Sequence, residues 1–384
     1  MKILITGGGS GGHFYPALAV IDALNSIVDQ EKIIKIEIVF MSDSSFDFGK
    51  DILYERGVRF KKIYAGKIRR YFSLLNITDT IKTFLGTIKA IWNIYLDFPD
   101  VIFSKGGYSS LPAVLAARFL GIPLIMHESD VVLGKVNKIS SSFAKRIGVS
   151  FSKTINYIPQ KNKEFVALVG NPIRKELIIA DKDKAQEDGK DYFNIKENVP
   201  IILITGGSQG AQKINDNIID MIGNLVKNYH VIHISGKNNY DDTKSRSGVM
   251  LEGSSYRYRY HIYPYLNVIE MKMAYSAADL IIARAGSGSI FEIAASGLPS
   301  ILIPLGNAAQ DHQKENAYEY ARTGAADVIE ETNLTPHLLL SEMQRLIENK
   351  EKLKKMGGSA FKFAKPNAAE KIAREIINLA LEHA

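Results

Sequence analysis

Two copies of one local pattern constrain this chain more than anything else in it. Lys2 to Thr6 is a short apolar run that ends in Gly7-Gly8-Gly9-Ser10-Gly11-Gly12-His13. Ile201 to Thr205 repeats the run and ends in Gly206-Gly207-Ser208-Gln209-Gly210-Ala211. A parallel strand buried on both faces reads as an unbroken apolar run. Glycines behind it let the backbone turn tightly and let a ligand come close. The helix that follows then presents free N–H groups to an anion. One such loop serves any tight strand-to-helix turn. Two matching loops, each near the head of half the chain, predict two similar nucleotide-fold domains facing one cleft.

The rest of the pattern agrees. Apolar runs predict strands at 2–6, 34–41, 59–64, 100–103, 123–127, 145–149 and 165–169, with helical periodicity at 12–26, 47–57, 73–96, 109–120 and 134–143. The second half predicts strands at 199–205, 229–235, 258–263, 279–283, 299–303 and 326–329. Its helices are expected at 209–227, 268–277, 288–296, 311–323, 335–348, 350–363 and 367–382. Such alternation argues parallel sheets with helices on both faces. Residues 181–198 read as a solvated connector or helix face, and 237–255, rich in Asn, Asp, Ser and Gly, as loop. The turn signal Gly170-Asn171-Pro172 marks the linker. The expected domains are 1–168, 169–362 and a closing helix, 363–384, that packs back on the first domain.

Composition narrows the class. A length of 384 residues suits two or three domains, and 46% hydrophobic with 23% charged residues is ordinary for a globular protein. No apolar run reaches the length of a spanning helix, and Met1-Lys2 leads straight into a strand without a signal-peptide pattern. The absence of cysteine excludes disulfides and thiolate metal sites and fits a cytoplasmic protein. A net charge of +7 suits an anionic partner, whether nucleotide, diphosphate or acidic membrane surface, and equally suits a lysine-rich surface with no partner.

Several clusters could carry chemistry. Five glycines in the seven residues Gly7 to His13 exceed what a turn needs, yet neither a Walker loop nor the spacing of a dinucleotide fingerprint is present. His13 stands where a helix begins, as a general base would, or as a packed polar residue would. A helix N-terminus disfavours imidazolium, which suits a base better than a phosphate ligand. Gly106-Gly107-Tyr108 follows another strand, and strand ends of an open parallel sheet share one ligand-binding edge. In the second half, Ser287 and Ser289 are placed to cap a helix and donate to a phosphate, and Glu292 to sit in its first turn and accept from ribose hydroxyls or simply face the helix dipole. Gln313 and Asn316 belong to a polar cluster after the next strand, where amides suit sugar hydroxyls or a polar cap. No histidine shows zinc-ligand spacing. The segment 67–92 mixes basic and bulky apolar residues, among them Arg69, Arg70, Lys82, Phe84 and Trp92. That composition suits an interfacial membrane contact. Periodicity alone reads it as a core helix with lysines at its rim.

Together these residues resemble the MurG family of bacterial peptidoglycan N-acetylglucosaminyltransferases. The resemblance rests on Gly8 to His13, Gly106-Gly107-Tyr108, His127-Glu128-Ser129-Asp130, Gly170-Asn171-Pro172-Ile173-Arg174, Gly206 to Ala211, Glu292-Ile293-Ala294 and Gln313 with Asn316-Ala317. These segments run in family order over essentially the whole chain. The resemblance implies an α/β GT-B fold, two Rossmann-like domains with parallel sheets, the second of which binds UDP-GlcNAc. It implies that Ser208 meets the diphosphate with Ser287 and Ser289 nearby, Glu292 the ribose, and Gln313 and Asn316 the sugar. Ser10, Gly11 and Gly12, Asp130 and Arg174 complete the donor side, while Gly106, Gly107 and Tyr108 face the acceptor with His13 as base or acceptor ligand. The implied acceptor is lipid I, attacked through its C4 hydroxyl with inversion, with neither cofactor nor metal. The implied setting is the cytoplasmic face of the plasma membrane, peripherally bound, with cell-wall synthesis proteins as partners and no nucleic acid.

Asp130 departs from the family's usual Asn: a carboxylate cannot donate as an amide does and adds charge near a diphosphate. Lys105, where small or apolar residues are common, would offset it. The segment from Pro264 to Met271, which helps hold the uracil, is longer than the family pattern by about two residues, so no base-binding residue is assigned. The alternatives are another GT-B UDP-sugar enzyme, such as a UDP-GlcNAc 2-epimerase or a glycolipid glycosyltransferase, and a non-catalytic UDP-sugar-binding membrane scaffold.

Overall fold

The computed structural model describes residues 1–8, 11–32, 36–43, 49–67, 75–179, 182–207, 210–306 and 311–383. They divide into two units, Met1–Arg174 with Pro366–Ala384, and Lys175–Lys365.

In the first unit, the chain runs through β1 (Lys2–Thr6), α1 (Gly11–Glu31), β2 (Glu37–Ser42), α2 (Lys50–Tyr54), β3 (Arg59–Lys62) and α3 (Leu75–Asp97). It continues through β4 (Val101–Ser104), α4 (Leu111–Leu120), β5 (Leu124–Glu128), α5 (Lys135–Ser140), β6 (Arg146–Val149) and β7 (Val166–Leu168). The strands form one parallel sheet in the order β3-β2-β1-β4-β5-β6-β7. Successive side chains of a strand point to opposite faces. Ile3 and Ile5 of β1 therefore pack with Phe14, Leu18 and Ile21 of α1, while Leu4 packs on the far side with Ala90 and Ile94 of α3 and Val114 and Ala117 of α4. Pro112 opens α4 and Gly121, in the left-handed conformation, closes it.

The second unit holds α6 (Lys182–Tyr192), β8 (Ile201–Thr205), α7 (Gln212–Asn228), β9 (His230–Ile234), α8 (Tyr240–Met250), β10 (Tyr260–Tyr263) and α9 (Val268–Ala277). After it come β11 (Leu280–Ala283), α10 (Ser287–Ala295), β12 (Ser300–Leu302), α11 (His312–Ala321), β13 (Ala326–Val328), α12 (Pro336–Glu348) and α13 (Lys350–Phe363). Its parallel sheet runs β10-β9-β8-β11-β12-β13. Side-chain caps set the helix starts: Asn267 and Glu270 form a reciprocal capping box on α9, Thr335 caps α12 ahead of Pro336, and Asn349 caps α13. The last helix, α14 (Ala368–His383), belongs to the first unit, where Ile372, Ile376 and Ile377 join the core beneath β1. Arg146 of β6 also pairs with its Glu375 at 2.5 Å.

Two expectations are corrected. Residues 240–250, read as loop, form α8. Asp241 and Asp242 stand in its first turn, where the helix dipole favours acids, and Arg246 bridges Asp242 to Asp216 of α7. Helix α3, read from its periodicity as a core helix, exposes most of its large residues. Gly86, Ala90 and Ile94 are buried, and a Cβ on Gly86 would stand 1.7 Å from the Tyr64 carbonyl oxygen. Ile77, Ile81, Phe84, Ile88, Trp92 and Tyr95 form an exposed stripe, with Phe84 at 64% and Trp92 at 62%.

Candidate active site

In each sheet the strand order reverses once, between β1 and β4 and between β8 and β11. Ligands of open α/β sheets bind beyond the carboxyl ends of strands at such a reversal. The glycine loops of this sequence leave the sheets at those two places.

In the first unit, Thr6 pairs with Ser104, so the loops after β1 and β4 start side by side. Gly106 and Gly107 take φ of +83° and +86°, which only glycine adopts freely. They also leave no room for a side chain. A Cβ on Gly106 would lie 2.8 Å from Asn137 Nδ2, and one on Gly107 would lie 2.6 Å from the Gly8 carbonyl oxygen and 3.1 Å from His13 Cδ2. The imidazole of His13, third residue of α1, is thus packed beside Gly107, one of the glycines that sequence reasoning assigned to the same site. Tyr108 donates its hydroxyl to Asp43 at 3.2 Å. The Arg174 guanidinium lies over the Tyr15 ring, 5.0 Å from its centre. Gly11 and Gly12 open α1, while Ser10 lies outside the described residues.

Behind these loops lies a buried polar network that sequence reasoning caught only in part. His127 Nε2 meets the Gly170 carbonyl at 2.8 Å. Glu128 accepts from the backbone N–H of Asp130 at 3.0 Å, from that of Gly134 at 2.9 Å and from Asn137 Nδ2 at 2.9 Å. Burial, with the Asp130 charge beside it, still raises the pKa of the Glu128 carboxyl above the ordinary carboxylate value. Lys105 donates to Ser129 Oγ, and Ser129 donates to Asn171 Oδ1 at 2.9 Å. Burial lowers the Lys105 pKa to about 8, against the pull of the Glu128 and Asp130 charges. The available signal was a lysine set at a buried strand end, where a charge needs a partner.

In the second unit, Thr205 pairs with Ala283 and brings the loops after β8 and β11 together. Gly206 and Gly210 are sterically required, since a Cβ on the first would stand 2.4 Å from the Ala211 N and one on the second 2.8 Å from the Ser235 carbonyl oxygen. Ser208 lies outside the described residues. The cap of α10 is Gly286, not a serine; Ser287 is its first residue and Ser289 its third, so neither side chain spans the cap. Glu292 is the sixth residue and stands in the second turn rather than the first, because the helix starts earlier than the serine-cap reading implies. There its Oε2 accepts from the Tyr275 hydroxyl at 3.1 Å, a partner the sequence did not reveal. Gln313 Oε1 accepts from Leu305 N–H at 3.0 Å. Asn316 is fully buried and its amide nitrogen faces the Ala285 carbonyl at 3.4 Å. Arg284, paired with Glu331, donates to the Ile303 carbonyl at 3.2 Å, while Glu331 accepts from Gly306 N–H at 3.0 Å. The sequence alone gave no partner for either.

Comparison with known proteins supplies the context. Residues 3–149 match the glycosyltransferase family 28 N-terminal domain and residues 201–372 its C-terminal domain. A Clostridium perfringens protein named UDP-N-acetylglucosamine--N-acetylmuramyl-(pentapeptide) pyrophosphoryl-undecaprenol N-acetylglucosamine transferase is 37% identical over 352 residues, 91% of each chain. One of the same name from Treponema denticola is 34% identical over 97% of this chain and 96% of its own. Among solved structures, MurG of Acinetobacter baumannii superposes with a TM-score of 0.74 at 26% identity, covering 98% of this chain and 99% of that one. A UDP-GlcNAc 2-epimerase of Neisseria meningitidis, at 0.68 and 16% identity over 98% and 100%, shares the fold. With both family 28 domains in order and full-length relatives above 30% identity, the chain belongs to glycosyltransferase family 28 and, within it, to the MurG N-acetylglucosamine transferases.

Proposed function

We propose that this GT-B enzyme moves N-acetylglucosamine from UDP-GlcNAc to the C4 hydroxyl of the MurNAc unit of lipid I, giving lipid II. The observation that carries the reading at the level of residues is the pairing of glycine loops at both sheet reversals, each with its chemistry-bearing side chains beside it. In the second unit the loops after β8 and β11 present N–H groups and helix starts to the diphosphate of the donor. Ser208, Ser287 and Ser289 add hydroxyls there. Glu292, oriented by Tyr275, accepts from the ribose hydroxyls. Gln313 reads the sugar from the start of α11, while buried Asn316 shapes the Ala285 turn beneath it.

In the first unit, Gly106, Gly107 and Tyr108 receive the acceptor, while Asp130 and Arg174 serve the donor. The C4 oxygen attacks the anomeric carbon from the side opposite UDP. A C–O bond forms, the bond from the anomeric carbon to the phosphate oxygen breaks, and UDP leaves with the electron pair. The hydroxyl proton passes to His13, held against Gly107. Attack from the opposite side inverts the anomeric centre and yields the β1–4 link. N–H groups and helix ends aimed at the leaving diphosphate supply the electrostatic stabilisation.

The acceptor is carried by a lipid. The exposed apolar stripe of α3, with Lys82 beside Ile81, has the make-up of an interfacial contact with an anionic surface. No described helix is long and apolar enough to cross a membrane. We place the enzyme at the cytoplasmic face of the plasma membrane, held by this stripe.

Paired substitutions test the two halves. Glu292→Ala should raise the UDP Kd tenfold or more, and the Kd of 2′,3′-dideoxy-UDP far less, because only UDP has ribose hydroxyls to lose; hydrogen bonds to a charged group are worth about 1.5–3 kcal/mol. His13→Ala should lower kcat by about 10²–10⁴ at unchanged UDP affinity. Equal weakening of both nucleotides removes Glu292 from the ribose, and a parental kcat removes His13 from the chemistry.

A further inference from the structure

Glu331 stands three residues beyond β13, and the reaction scheme above does not use it. Its carboxylate holds two loops at once. One oxygen takes the Arg284 guanidinium from the end of β11, and the other, Oε2, accepts from the Gly306 N–H past the end of β12 at 3.0 Å. The Glu331 backbone carbonyl accepts in turn from Lys213 Nζ, in the first turn of α7, at 2.5 Å. One residue therefore joins the segments that follow β8, β11 and β12, all three on the donor side. The side chains of Arg284 and Glu331 are only 9% and 16% exposed. Desolvation offsets much of the attraction in such a pair, so what it supplies is geometry rather than net stability.

The geometry it sets is that of one short segment. Arg284 donates a second time, from Nη1 to the Ile303 carbonyl at 3.2 Å, and Gln313 Oε1 accepts from the Leu305 N–H at 3.0 Å. With Glu331 on Gly306, side chains from three elements grip the backbone of residues 303, 305 and 306. A Cβ on Gly306 would crowd Glu331 Oε2 at 3.2 Å, so the carboxylate is seated directly on the backbone. A backbone N–H bonds an amide oxygen and not an amide nitrogen. The Leu305 bond therefore fixes which way the Gln313 amide is turned, and leaves its nitrogen to donate to a ligand.

We propose that Glu331 is a positioning residue for donor recognition: by clamping Arg284 to Gly306 it holds segment 303–306 against the start of α11 and keeps the Gln313 amide turned for the sugar of the donor. This role rests on the transferase reading above and deepens it. UDP carries no sugar and does not use the Gln313 amide, so loss of the clamp separates UDP-GlcNAc from UDP. Glu331→Gln opens the clamp on one side only. The new amide oxygen still accepts from Arg284, the charged donor, while the amide nitrogen is set against the Gly306 N–H, donor against donor. The volume is unchanged, and Arg284 keeps a partner.

The experiment is a double-mutant cycle on the full chain with Glu331→Gln, Gln313→Ala and their combination. It measures kcat/KM for UDP-GlcNAc at saturating lipid I, calorimetric affinities for UDP-GlcNAc and for UDP, and thermal unfolding. Glu331→Gln should lower kcat/KM for UDP-GlcNAc about tenfold or more and weaken UDP-GlcNAc binding at least threefold, with UDP affinity within twofold of the parent. The double variant should fall little below the worse single one, because both substitutions act on the same amide. Equal weakening of UDP and UDP-GlcNAc, a parental Glu331→Gln, or losses that multiply in the double variant would overturn the proposal. If Glu331→Gln does not fold, Glu331→Asp takes its place, since it keeps the charge for Arg284 but is one methylene too short to hold both partners; the same split between the two nucleotides supports the clamp, and its absence overturns it. A parent enzyme that turns over no lipid I would instead refute the transferase reading itself, and the two calorimetric affinities would still decide the clamp.

Discussion

At the scale of single residues, the site is built by exclusions as much as by contacts. Gly106, Gly107, Gly206 and Gly210 are glycine because a Cβ at each would stand within 3.0 Å of fixed atoms, and three of them also need positive φ. Those residue types were legible in the sequence, since glycine excess has few other uses at a strand end. Partners were not. Tyr275 beside Glu292, or Glu331 beside Arg284, join residues far apart in the chain through packing that no local pattern encodes. The second unit also holds a buried histidine with a measurable consequence. His233 Nε2 meets Asn215 Oδ1 at 3.0 Å and its Nδ1 meets the Tyr260 hydroxyl at 2.8 Å. Burial lowers its pKa from 6.5 to about 3. The folded state thus keeps it neutral where the unfolded chain takes up a proton. Stability from this group is complete above pH 6.5 and is lost as pH falls from there toward 3. At pH 5 the loss is about 2 kcal/mol. His261, lowered to about 4, adds with the same sign. Urea unfolding at pH 7.5 and pH 5.0 should show the parent losing stability and His233→Asn losing less of it; an identical drop in both would remove His233 as a source.

At the scale of elements, strand positions followed the apolar runs closely because strands buried on both faces leave no polar alternation to misread. Helix starts were less exact. The α10 start was read from serines that the fold places inside the first turn, after a glycine cap. Helix α8 escaped notice because its apolar content is slight, and its pairing with α7 runs through Arg246 and Asp216. Helix α3 shows why periodicity alone misassigns an amphipathic stripe: a pattern identifies a face but not what covers it. Here Gly86, Ala90 and Ile94 make the protein-side contact, and most of the aromatic and aliphatic residues remain exposed. Phe84→Ser with Trp92→Ser should reduce binding to anionic vesicles at least tenfold and leave UDP affinity intact. Lys82→Glu should act mainly at low salt, where screening is weak. Unchanged sedimentation with vesicles by the serine pair would show that α3 is not the anchor.

At the scale of the whole molecule, the two units repeat one design: a parallel sheet that reverses its order once, with paired glycine loops at the reversal. The sequence announced this repeat in the matched strand–Thr–Gly–Gly segments, and the GT-B class followed from it. The repeat does not by itself choose a reaction, since a UDP-GlcNAc 2-epimerase shares the fold. The choice rests on family membership along the full chain. The decisive measurement is therefore turnover by the purified full chain in vesicles containing lipid I, with UDP-GlcNAc as donor and the products resolved. UDP release should be matched one to one by lipid II carrying a β1–4-linked N-acetylglucosamine. Interconversion of UDP-GlcNAc with its C2 epimer and no sugar on the lipid, or no turnover by a chain that still binds UDP, would contradict the transferase reading.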